Sequence, residues 1–132
     1  MDKDTAQKAM AAAGDAATKL GKPVAIAVVD IAGAMVLFER FGNVPSFTAA
    51  IAEGKATGAA FTGLTSGYLE QLATDGSPIY HAIAHQLSGR RFVPRQGAVP
   101  LKDATGVIGA VGVSGATSQE DEDISKAGAA AI

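Results

Sequence analysis

The chain has 132 residues, 48% of them apolar, a net charge of −2 and no cysteine. This length accommodates one domain with a real core, and the lack of thiols excludes disulfides, zinc–thiolate sites, iron–sulfur clusters and thiol catalysis. The slightly acidic balance gives no reason to expect nucleic acid or an anionic membrane as partner.

Asp4 or Thr5 is placed to cap a first helix, whose apolar stripe is Ala6, Ala9, Met10, Ala13, Ala17 and Leu20. Gly21 and Pro23 stop it. Val24 to Val29 is a nearly unbroken apolar run rich in β-branched residues, which predicts a central strand. Asp30 to Gly33 is a turn, and Ala34 to Arg40 predicts a second strand completing a hairpin. Alternation there puts Met35 and Leu37 on one face and Val36 and Phe38 on the other. After a loop at Gly42, Asn43 and Pro45, Ser46 is expected to cap a helix to about Phe61 that is rich in alanine and buried on several sides. Shorter helices are predicted over Ser66 to Leu72 and Pro78 to Leu87. Arg90 to Pro100 reads as basic loop or edge structure, with a short strand at Ala98 to Lys102.

Gly106 to Gly115 reads as a buried strand with glycine at every third position, where another backbone can approach closely. A last helix follows, with Thr117 and Glu120 spaced for a capping box. The glycines do not make a phosphate cradle: no Lys-Ser/Thr pair follows them, and the run Glu120 to Asp123 would repel phosphate. They fit a dinucleotide fingerprint poorly, because they lie within the strand. Hairpins flanked by helices favour an antiparallel sheet in an α+β domain. No apolar run is long enough to span a bilayer, and the charged, alanine-rich start lacks the features of a signal peptide, so a cytoplasmic location is expected.

Lys55 stands in the small-residue helix, where a lysine has a lowered pKa, holds an acidic ligand group, or snorkels to solvent. His81 and His85, the only histidines, fall one turn apart on a predicted helix. They could hold a transition metal with a third ligand, or ligate haem iron, or be ordinary surface residues. Tyr80 lies beside them. Arg90, Arg91 and Arg95 form a local positive patch suited to carboxylates, haem propionates included, or to carboxylates of the protein itself. Asp121 and Glu122 near the last helix's N-terminus either answer the helix dipole or face Lys55 or Arg40 across a cleft as an acid/base cluster.

The ordered set Lys22 to Asp30, Gly33, Arg40, Ile51-Ala52 with Lys55-Ala56, Gly97 to Leu101, Gly106 to Gly115, and Asp121-Glu122 with Ala127-Gly128 resembles the GlcG/HbpS-like proteins. These are similar in turn to the C-terminal domain of PduO-type corrinoid adenosyltransferases. The resemblance covers essentially the whole chain. It implies a profilin-like or PAS-like three-layer sandwich, with a five-stranded antiparallel sheet flanked by helices, and assembly into a homo-oligomer, dimer or larger. It also implies haem or tetrapyrrole binding, haem degradation or redox sensing, and it carries family positions onto Asp30, Arg40, Lys55, Gly97, Pro100, Ser114, Asp121 and Glu122. Two departures stand out. The family's Gly-Gly before Val-Pro is Gly97-Ala98 here, and the first-helix histidine of some haem-binding relatives is missing, so haem ligation would fall to His81, His85 or another group.

The leading expectation is an oligomeric small-molecule-binding protein with haem or a related tetrapyrrole as ligand. The ligand residues would be His81, His85, Arg90, Arg91, Arg95, Gly97 and Ser114. One alternative is an enzyme acting on a small organic acid, with Lys55, Arg40, Asp121 and Glu122 as its catalytic set. A further alternative is an accessory subunit without catalysis.

Overall fold

β1 (Val24–Asp30) organises the fold, because its two sets of side chains differ in size. The structure, a computed structural model, describes all of residues 1–132. Val24, Ile26 and Val28 point to one side of the sheet and join the main core, while Ala25, Ala27 and Val29 point to the other. The strand order is β2 (Met35–Phe41), β1, β4 (Gly106–Ser114), β3 (Ala98–Asp103), and every neighbouring pair is antiparallel. α1 (Lys3–Leu20) and α5 (Ser118–Ala130) cover the large-residue face, and α2 (Phe47–Thr62) covers the small-residue face. α3 (Ser66–Thr74) and α4 (Pro78–Gln86) lead off the end of α2, and no residue of α4 is buried. No helix is long and apolar enough to cross a membrane.

The sheet has four strands, not the five implied by the resemblance. The basic stretch before β3 does not join it. Instead Val93 donates its backbone N–H to the Gly54 carbonyl of α2 at 3.2 Å, and Pro94 has no N–H to offer a ladder. Gly54 and Gly58 make room for this: a β-carbon on Gly54 would lie 2.6 Å from Val93, and one on Gly58 would lie 2.7 Å from the Phe92 ring. Pro100 falls in β3, which has only one neighbour and therefore tolerates a missing donor.

The small-residue face brings α2 unusually close. Gly112 opposes α2, and a β-carbon there would lie 2.3 Å from the Ala52 carbonyl oxygen and 2.9 Å from the Ala56 nitrogen. Gly109 is tight for a different reason: its β-carbon would meet the Val29 carbonyl of the neighbouring strand. The close approach read from the glycine pattern is thus present at both positions.

The helix ends follow the local sequence signals at α5 and depart from them at α1 and α2. Thr117 and Glu120 form the reciprocal capping box of α5, accepting from each other's backbone N–H. α1 starts earlier than the stripe suggests, because the Asp2 carboxylate accepts from Thr5 N at 2.8 Å. Ser46 makes no side-chain cap on α2; its φ and ψ are already helical, and the hydroxyl of Thr48 donates to Pro45 O instead. The alternation predicted for the second strand is also broken. A bulge between Val28 and Val29 pairs Val28 with Leu37 but Val29 with Met35, so Met35 and Leu37 fall on opposite faces.

Candidate functional site

Lys55 lies on the face of α2 that meets the sheet, where alanine and glycine neighbours leave its long stem no route to solvent. Its ammonium donates to the Val113 carbonyl at 2.9 Å and to Asp121 Oδ2 at 3.2 Å. Lys55 is 4% exposed and Asp121 2% exposed. The other carboxylate oxygen of Asp121 accepts from Ala116 N at 3.0 Å, just ahead of α5. The pair therefore ties α2, the end of β4 and the start of α5 together. Gly97 closes over it with φ +141°, and a β-carbon there would lie 2.7 Å from Lys55 Nζ and 2.8 Å from Val113 O. The Gly97 carbonyl accepts from both Val113 N and the Ser125 hydroxyl, at 3.0 and 2.6 Å. Thus Lys55, Gly97 and Asp121, three positions carried by the family resemblance, form one buried polar knot in which every buried side-chain polar atom has a partner.

The expected carboxylate partner of Lys55 is present, but no cleft opens onto it. Two surface clefts exist, and both run along α1 and β2, away from Lys55. Nor does the acid/base cluster assemble. Arg40 is exposed on edge strand β2, opposite Ala25. Glu122 is also buried but turns away from Lys55, to Gln96 Nε2 and Lys126 Nζ, both at 3.2 Å. The geometric reason is the helix itself, since adjacent residues point about 100° apart and Asp121 and Glu122 cannot both face Lys55. Ser114 ends β4 opposite Ala25 and lines neither cleft. Asp30 serves the β1–β2 turn, where its carboxylate accepts from Ala32 N and Ala34 N.

His81 and His85 are exposed on α4, with the Tyr80 ring edge-on to His81. No third His, Asp or Glu converges on them, so the pair does not complete a metal centre from protein ligands alone. The three arginines already have partners within the chain. Arg90 donates to Ala32 O, Arg91 pairs with Glu53, and Arg95 pairs with Glu70 at 3.1 Å.

Two buried serines support this region, Ser125 within the knot and Ser66 beside it on Ala98. Ser125 stands one turn after Asp121, on the same face of α5, and that spacing was legible. Ser66, which is fully buried and accepts from Ala98 N at 2.7 Å, leaves no mark in the sequence beyond following the Thr65 cap.

Burial holds the Lys55 ammonium below its ordinary value, against the attraction of Asp121. Burial likewise raises the Asp121 carboxyl, against Lys55 and the Ala116 N–H. The two ionisations are coupled, because losing either charge leaves the other buried without its partner.

No curated protein sequence matches the chain significantly. Among solved structures, PduOC in complex with haem superposes with a TM-score of 0.87 at 26% identity, over 100% of this chain and 94% of that one. HbpS gives a TM-score of 0.86 at 26% identity, over 100% and 89% of the two chains. The Klebsiella pneumoniae protein ORFY gives 0.86 at 26% identity, over 99% and 89%. The family model described as "haem degrading protein HbpS-like" matches residues 1–130, and the chain belongs to that family.

Proposed function

We propose that this protein binds haem or a closely related tetrapyrrole, with His81 or His85 as axial ligand. The observation that carries the reading is the state of these two imidazoles. They are the chain's only histidines, they are exposed one turn apart, and neither has a side-chain hydrogen bond or an ion pair. Such groups suit haem iron, which needs only one or two protein ligands because the macrocycle supplies the rest. Membership of a family described by haem degradation, and likeness to a protein crystallised with haem, support the same ligand. Arg91 and Arg95 lie in ion pairs near the surface, which contribute little, and Arg90 holds only a backbone carbonyl, so these guanidinium groups could be exchanged for a propionate. Haem would bring iron redox chemistry; the chain's own part is to ligate through imidazole and to hold the acidic edge through arginine. Haem titration is expected to give a saturable Soret shift that His81→Ala/His85→Ala loses. A wild type without the shift ends the reading, and a double variant that keeps it moves the ligand elsewhere.

Assembly into a homo-oligomer belongs to this reading. Three of the five phenylalanines, Phe38, Phe47 and Phe61, are exposed, with Phe47 at 67%, and α4 offers an uncovered surface beside Ile79. Light scattering at micromolar concentration is expected to show a dimer or larger; a monomer alone contradicts it. The organic-acid enzyme reading requires Lys55, Arg40 and Glu122 around one cleft, and these side chains lie apart.

A further inference from the structure

We infer that the cleft between α1 and β2 is a second small-molecule site, built for an organic cation with an apolar body. Its volume is about 440 Å³, within the range of small-ligand sites. Met10 from α1 and Leu37 and Phe41 from β2 make an apolar floor. Gln7, Ala11 and Asp15 stand at successive turns of α1 along one wall, and Glu39 stands on β2 along the other.

The charge on these walls is what selects the ligand. Five carboxylates in this chain form ion pairs, namely Glu53, Glu70, Glu120, Asp121 and Glu122. Asp15 and Glu39 belong to none of those pairs, and neither accepts a side-chain hydrogen bond, although Lys19 lies one turn beyond Asp15 on the same helix. Two unpaired carboxylates over an apolar floor favour a positive group and disfavour haem, whose propionates would meet like charge. The partly buried Phe41 ring adds a face on which an ammonium or its aromatic body can rest. The ligand class is therefore a primary or quaternary amine carrying an aryl or alkyl group. This site stands apart from His81 and His85, which line neither cleft, so it survives or fails independently of haem binding.

Benzylammonium is the probe, with benzyl alcohol as its neutral counterpart. Titration into isotopically labelled protein is expected to give saturable amide shifts confined to the surroundings of Met10, Leu37 and Phe41. The alcohol should bind at least several-fold more weakly, and Asp15→Asn/Glu39→Gln should weaken benzylammonium by about tenfold, the scale of two exposed charge contacts. Both replaced side chains are exposed, and a thermal melt verifies that the variant folds. Absence of saturable shifts at the cleft overturns the inference. So does equal binding of the amine and the alcohol by the wild type, a comparison that needs no variant, and so does undiminished amine binding by the variant.

Discussion

Replacing Gly112 by valine is expected to destabilise the protein by about 3 kcal/mol or more, the upper end of the overpacking range. The obstacle is backbone. The first added carbon lands 2.3 Å from the Ala52 carbonyl oxygen and 2.9 Å from the Ala56 nitrogen, so no side-chain rotation relieves it and α2 has to withdraw from the sheet. That movement would also disturb the contacts of Ala56, Ala59 and Ala60 with Ala98 and Ala110, since these small residues depend on a short helix–sheet distance. Even Gly112→Ala meets the same oxygen. Urea unfolding measures the effect, and an unchanged midpoint in both variants would show that the helix does not sit this close to the sheet.

The second large effect is expected at the Lys55–Asp121 pair. Lys55→Met leaves a buried carboxylate without its counter-charge, and Asp121→Asn leaves a buried ammonium in the same position; each is expected to cost about 3–5 kcal/mol. The double variant Lys55→Met/Asp121→Asn should recover most of that loss, because the side-chain amide still accepts from Ala116 N and no bare charge remains. Double-mutant analysis of chemical denaturation reads this as a large coupling. Additive single costs would show that the two side chains do not depend on each other. Lys55→Ala is expected to damage the fold before any effect on ligand binding can be read. Single variants of normal stability that have lost haem binding would return Lys55 to a ligand site.

What could be read before folding was what depends on neighbours along the chain. The capping box at Thr117 and Glu120, the central character of Val24 to Val29 and the helix around Lys55 all follow from spacing within one or two turns. The need of a charged group in an alanine-rich helix for a carboxylate was equally legible, and Asp121 or Glu122 was a correct pair from which to draw it.

Choosing between them required the third dimension, because only the seating of α5 on the sheet decides which of two adjacent side chains faces Lys55. The same holds for Arg40, whose strand proved to be an edge with its charge in solvent. The bulge at Val28 and Val29 and the sheet's four strands depend on which backbone groups find partners across the fold, such as Val93 with Gly54. Sequence by itself determined the helices, the strand candidates and the family; tertiary packing decided that Lys55, Gly97 and Asp121 close into a buried knot and that the open clefts lie elsewhere. The reason is range: caps and periodicities act over a few residues, whereas a buried charge is satisfied by whatever the rest of the chain brings to it.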